Sequence, residues 1–194
     1  MDIATDIRAL ARGDRAAFDR LYRAQQRPLL GYALGLLAGD REAAEDVVDE
    51  AFLDVWKQAA GFAGTGSAQG WIRRIVRNKA VDWLRRNGSA RFAEWSDEHD
   101  LRADDGPGPE DLAIAANNAD WLRLALGRLN IDQREAVVLA YFEQRSVAEI
   151  AAIQSCPEGT VKTRLYHARL NIRTLLVEAT MSRKKPCALA TSSE

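Results

Sequence analysis

Apolar residues recur at helical spacing through most of the chain. Over 14–38, Phe18, Leu21, Tyr22, Leu29, Tyr32 and Leu36 are separated by steps that keep them on one helix face, which predicts a helix turned to a core. Gly39 interrupts the pattern, and Asp40 predicts the cap of a second helix over 41–58. Its apolar positions are Val47, Val48, Ala51, Phe52, Val55 and Trp56. A third run, from Trp71 to Leu84, carries Ile72, Ile75, Val76, Ala80 and Trp83. Between the second and third runs, residues 61–70 hold too much glycine for a helix and predict a loop. Helices of this length are marginal alone, so burial of their apolar stripes against each other must hold them.

The second half repeats the style in shorter pieces, with helices expected at about 110–127, 132–143, 146–153 and 157–178. Ser146 and Glu149 have capping-box spacing, and Pro157 suits the first turn of the last helix. The stretch from Ser146 to Ala168 is thus two helices broken at Gln154-Ser155-Cys156, the outline of a helix-turn-helix. No run of β-branched residues announces a sheet, so the expected class is all-α.

Charge divides the chain further. The total is 27 Lys+Arg against 28 Asp+Glu, a net charge of -1 over 194 residues. Residues 1–88 are net +2, 89–112 net -6 and 113–194 net +3. The middle piece contains Gly106-Pro107-Gly108-Pro109 and no apolar periodicity, so it reads as an acidic linker. Two small helical domains, 1–88 and 113–178, joined by a flexible linker at 89–112 and followed by a disordered tail at 179–194, are expected. Two cysteines give no disulfide framework. No apolar run is long enough for a membrane span, and the N-terminus is not a secretory signal, so a cytoplasmic protein without direct membrane insertion is expected.

Three helices have faces that suggest partners. Asp40, Glu42, Glu45, Asp46, Asp49, Glu50 and Asp54 outnumber Arg41 and Lys57, so the second helix is repelled by DNA and suits solvent or a basic protein. The helix from Trp71 carries Arg73, Arg74, Arg77, Lys79, Arg85 and Arg86 against Asp82 alone, with Asn78 among them. Arg73, Arg74, Arg77 and Asn78 are expected on a common exposed face that meets nucleic acid. The Gly-rich loop before it offers amides and the Thr65 and Ser67 hydroxyls to an unstacked base. In the last helix, Val161, Leu165, Ala168, Ile172 and Leu175 form the core stripe. Thr163, Tyr166 and His167, flanked by Lys162, Arg169 and Arg173, point outward as a major-groove reader would. His99 and His167 lack a cysteine cluster, and Cys156 lacks an activating histidine. No enzyme, metal site or cofactor is expected. From these residues alone, a helix-turn-helix regulator and an adaptor built on the acidic helix both stay open.

Three blocks then carry a resemblance. Glu45-Asp46-Val47-Val48-Asp49-Glu50-Ala51-Phe52-Leu53-Asp54-Val55-Trp56 resembles the core-polymerase-binding helix of the extracytoplasmic-function group of bacterial sigma-70 factors. Phe62 and Gly64, then Trp71 through Arg86, look like that family's promoter-melting and −10 region. Leu129 with Gln133-Arg134-Glu135-Ala136-Val137, then Ser146-Val147-Ala148-Glu149-Ile150-Ala151 and Pro157 through Leu165, resemble its −35-binding domain. The blocks stand in family order over roughly 14–176. The resemblance implies a sigma factor of RNA polymerase, built from a region 2 bundle and a region 4 helix-turn-helix. It implies core polymerase contacts at Glu45, Asp46, Asp49, Glu50 and Asp54. It implies −10 contacts at Thr65, Ser67, Arg73, Arg74, Arg77, Asn78, Asp82 and Arg85. For the −35 element it implies Thr160, Lys162, Thr163, Arg164, Tyr166, His167, Arg169 and Arg173. The implied partners are core RNA polymerase, promoter DNA and an anti-sigma factor. Two departures from the family pattern are Ala68 in the loop, where a bulky residue is usual, and Ser155 in the turn, where glycine is usual.

Overall fold

A computed structural model describes the backbone of residues 2–64, 67–87 and 119–183, with side chains described from 121 to 175 in the last span. The expected linker at 89–112, the start of the helix expected from 110, and the last eleven residues of the tail lie outside the described residues. Every regular element among the described residues is a helix, and none is a strand.

The first half opens with a helix that the apolar pattern did not announce. Helix α1, Ile3–Ala11, is capped by the Asp2 carboxylate, which accepts from the Ala4 amide. It buries Ile7 and Leu10. Nine residues hold too few turns for their period to stand out. Helix α2, Arg15–Leu36, follows an Asp14 cap, and α3, Arg41–Gln58, an Asp40 cap. Helix α4 is Ala68–Arg86 and starts three residues before Trp71, where the apolar run was expected to begin. Ser67 Oγ accepts from the Gly70 amide at 3.2 Å, so the last three residues of the expected loop are the first turn of α4. Trp56, expected in the core stripe of α3, is instead 41 % exposed, its ring edge-on to Phe18.

The second half contains α5, Ala119–Arg128, and α6, Ile131–Val137. The single helix expected over 132–143 changes register: after α6 the chain makes a π-helical stretch, Val138–Phe142. Helix α7, Val147–Gln154, has the reciprocal Ser146–Glu149 capping box, and α8 is Glu158–Arg183. Ser155 between them has φ of 53°, a left-handed conformation at the place where the family usually has glycine. The helix-turn-helix therefore accepts a small conformational cost at Ser155, of the order of 1 kcal/mol.

The two halves share one continuous core, from Ile7 to Ile172. Full burial of side chains such as Phe52, Leu21, Leu29 and Ile72 contributes about 1.5–3 kcal/mol each before chain entropy is set against it. Gly35 of α2 lies directly under Val138, and a Cβ there would stand 2.5 Å from Val138 Cγ2. That missing methyl lets the halves close on each other.

Candidate nucleic-acid and polymerase interfaces

Helix α3 turns its apolar stripe inward and leaves Glu45, Asp46 and Asp49 exposed. Leu53, 58 % exposed, and Trp56 continue the same outward side. Asp46, Asp49, Leu53 and Trp56 are spaced by three, four and three residues, so acid and apolar surface form one stripe. Some of the expected acids already have partners inside the fold. Glu45 pairs with Arg41, Asp49 accepts from the Tyr22 hydroxyl at 3.4 Å, and Lys79 of α4 pairs with Asp54 at 2.9 Å and Glu50 at 3.6 Å. The Asp54 carboxylate, followed by its charge and that of Glu50, raises the Lys79 pKa.

Helix α4 does not present its cations on one face. Arg74, Asn78, Asp82 and Arg85 are exposed, with Asp82 and Arg85 3.9 Å apart. Arg73 is buried, its side chain 3 % exposed, and donates to Glu143 Oε2 at 2.5 Å while its guanidinium lies over the Tyr32 ring. Arg77 donates through Nε to Glu135 Oε2 at 2.9 Å and through Nη2 to Asp132. The expected common exposed face thus divides, two members outward and two against the second half. The cause is a partner far along the chain: Asp132, Glu135 and Glu143 cover that side of α4. Ser67 is exposed at the helix start, and Thr65 lies outside the described residues. Beside Ser67, a cleft of about 450 Å³ opens between Phe62, Trp71 and Arg74 on one side and Arg145 and Ile153 on the other.

Around Glu135 the polar groups form a closed set. Its carboxylate, 1 % exposed, accepts from the Tyr32 hydroxyl, Arg77 Nε and Gln154 Nε2. Burial, then the Glu135 charge, hold the Tyr32 hydroxyl pKa well above its ordinary value. Burial alone would lower the Arg77 pKa, but the Glu135 and Asp132 carboxylates outweigh it and raise it. Nearby, buried Arg134 donates to the Leu36 carbonyl at 2.6 Å and the Leu129 carbonyl at 3.0 Å. Desolvation lowers its pKa to about 10.

In α8 the core stripe is as expected for Val161, Leu165, Ala168 and Ile172, which are buried, while Leu175 is half-buried. Lys162 and Arg173 are exposed; Thr160, Thr163, Tyr166, His167 and Arg169 are half-buried. Thr163 Oγ1 donates back to the Gly159 carbonyl, and Arg169 Nε to the Leu165 carbonyl. The Tyr166 and His167 rings meet edge to face at 5.4 Å. Arg164 turns inward, donating to Asp132 Oδ2 and Gln154 Oε1, each at 3.0 Å.

Tyr32, Asp132, Glu135, Glu143 and Gln154 organise these cations, and the local pattern singled out none of them for that role. A signal for the cations themselves was present. Residues seven apart on a helix differ by only about 20° in direction, so Arg73 shares a face with Ala80 and Arg77 with Leu84, both buried. Among the described residues no group of three or more His, Cys, Asp or Glu side chains is arranged to hold a metal ion. No described helix is long and apolar enough to cross a membrane.

Residues 21–90 match the family model of sigma-70 region 2, and 119–172 match that of sigma-70 region 4. Over 164 residues the chain is 34% identical to the ECF RNA polymerase sigma factor SigM of Mycobacterium tuberculosis, a match covering 84% of this chain and 79% of that one. To the ECF RNA polymerase sigma factor SigE of Mycolicibacterium smegmatis it is 30% identical over 179 residues, covering 87% of this chain and 66%, just under two thirds, of that relative. Among solved structures, the co-crystal of the sigma factor RpoE with the anti-sigma factor NepR from Bartonella quintana matches with TM-score 0.57 and 26% identity. That match covers 82% of this chain and 96% of the other.

Proposed function

The chain belongs to the extracytoplasmic-function group of the sigma-70 family, transcription-initiation factors rather than enzymes, and on that premise we propose how its surfaces divide the work. The α3 stripe docks on core RNA polymerase, α4 and the loop before it engage the −10 element as it melts, and α8 reads the −35 element. The observation that carries this reading is the reversal of sign between adjacent helices. Helix α3 exposes Glu45, Asp46 and Asp49 beside Leu53 and Trp56, whereas α4 exposes Arg74, Asn78, Arg85 and Arg86. An acidic and apolar stripe is repelled by phosphate and suits a basic protein surface. A cationic helix beside a cleft lined by Phe62 and Trp71 suits a single strand whose bases have left the stack.

On α8, Lys162 and Arg173 meet phosphates in this reading, and Tyr166 and His167 meet base edges; the exposure of the two cations supports the first assignment. The chain acts in the cytoplasm, where the polymerase is, and is held by an anti-sigma factor until needed. The RpoE–NepR pair offers a precedent in that other sigma factor. Titration of fluorescently labelled chain with core polymerase, wild type against Asp46→Lys/Asp49→Lys, tests the division. Saturable binding lost in the double variant is expected; equal affinity of both chains contradicts it.

A further inference from the structure

Helix α1 brings two cations to the edge of the loop that precedes α4. It packs on the short 3-10 turn Ala59–Gly61, from which the loop departs, and it buries Ile7 and Leu10. The first residues of the loop are then fixed from two sides. Phe62 rests on Trp71, with ring centroids 5.2 Å apart. Gly64 lies against the Arg8 guanidinium: a Cβ there would stand 3.0 Å from Arg8 Nη2. Gly64 also has φ of +70°, in the left-handed region, so a side chain at this position would be strained as well as crowded. Glycine thus lets a guanidinium approach the loop backbone directly.

That guanidinium has donors to spare. Arg8 is exposed, and so is Arg12, four residues on. The charge of Asp2 reaches Arg8, but its carboxylate oxygens already accept from the Ala4 amide at 3.1 Å and the Thr5 hydroxyl at 2.6 Å. No described carboxylate forms an ion pair with Arg8 or Arg12. Arg20 of α2 is the contrast, held by Asp6 at 2.9 Å and Asp14 at 3.4 Å. An arginine fork without an acid, laid beside backbone that carries no side chain, can take two oxygens of a phosphate. Four residues of helix advance about 6 Å, so Arg8 and Arg12 can serve neighbouring phosphates of an extended strand.

We propose that Arg8 and Arg12 form a phosphate-binding rail for the non-template strand of the −10 element, which passes from the cleft beside Phe62 and Arg74, over Gly64, onto α1. The inference rests on the reading that this loop receives a melted −10 base. Helix α1 precedes residue 21, where the match to the region 2 family model begins, so that match assigns it no role. The rail supplies charge and no sequence preference: bases are chosen in the cleft, and α1 holds the strand in register beside it.

Uncharged linkages test the rail. Holoenzyme made with the full chain is titrated onto a fluorescent −10 non-template oligonucleotide from a promoter that the wild-type holoenzyme uses. One phosphate at a time is replaced by methylphosphonate. With wild type, two adjacent linkages are expected to be sensitive, each replacement weakening binding about tenfold at low salt. Arg8→Ala is expected to lose the same factor on the natural oligonucleotide and to become indifferent to one of those linkages, and Arg12→Ala to the other. Each alanine variant lowers the salt slope by about 0.7. Arg8→Lys keeps the charge and is expected to restore most of the affinity. Methylphosphonate penalties that persist unchanged in both alanine variants, or alanine variants that bind as wild type does, overturn the rail. A loss of affinity that leaves the salt slope unchanged and is equal on every oligonucleotide assigns Arg8 to holding the loop, and overturns it too. A wild-type holoenzyme that starts at no promoter, or that does not prefer the −10 oligonucleotide to a scrambled one, is a different result: it overturns the −10 reading on which the rail rests.

Discussion

Tyr32 of α2 donates its hydroxyl hydrogen bond to the buried carboxylate of Glu135 in α6, joining residues 103 positions apart. The pair ties the first half of the chain to the second at the point where Arg77 also arrives. Tyr32→Phe removes one of three donors from a carboxylate with almost no access to water. A cost of about 1–3 kcal/mol is expected. Urea unfolding of the two proteins at neutral pH measures it, and an unchanged midpoint would mean that water or a neighbour replaces the hydroxyl.

The capping box of α7 makes a pH prediction. The Ser146 amide, the Ser146 hydroxyl and Arg145 together hold the Glu149 pKa at about 2, below its ordinary 4.5. A lowered folded-state pKa contributes stability that is full above the unfolded value and fades as pH falls through 4.5 toward about 2. Glu149→Gln keeps the shape of the cap but not the charge. The difference in melting temperature between wild type and Glu149→Gln is therefore expected to shrink steadily from pH 5.5 downward. A difference independent of pH would show that the charge contributes nothing.

What the sequence displayed and what it hid follow from distance along the chain. Helix α3 was legible to the residue because Asp40 caps it and its own apolar stripe fixes its face. The capping box of α7 and the core stripe of α8 were legible for the same local reason. The seven-residue step from Arg73 to Ala80 puts Arg73 on the core side, but its partner Glu143 stands 70 residues later, and no local period reports a partner that remote. Trp56 misled in the other direction: it has helical spacing, yet it is 41 % exposed, with its ring edge-on to Phe18 of α2. The π-helical stretch at Val138–Phe142 was hidden too, since its residues are apolar in any helical register.

Exposure separates Asn78 from Arg73 on α4. Asn78→Ala is expected to leave stability within about 0.5 kcal/mol of wild type, as surface substitutions do. It is also expected to slow promoter opening, read as permanganate reactivity of −10 thymines. A normal rate of opening would remove Asn78 from the −10 contacts.

On α8 the outward residues should divide by what they touch. Lys162→Ala is expected to weaken binding to every −35 duplex and to lower the salt slope by about one. His167→Ala is expected to change preference among −35 sequences, by about 1–3 kcal/mol if its ring makes a direct base contact. Arg164→Ala should differ from both, lowering stability as well, because it bridges Asp132 and Gln154. Anisotropy over a panel of duplexes at several salt concentrations, with melting curves alongside, checks all three. Equal losses on all sequences for His167→Ala would mean that α8 positions the chain without reading bases there.

The central claim is that this chain directs RNA polymerase to particular promoters, and mapping transcript starts tests it most directly. Core polymerase with and without the chain is given fragmented genomic DNA from the source bacterium, and the 5′ ends of the RNA are sequenced. The account predicts new starts that appear only with the chain and share paired −35 and −10 sequences, and that disappear with Asp46→Lys/Asp49→Lys. Start sites identical with and without the wild-type chain would contradict it.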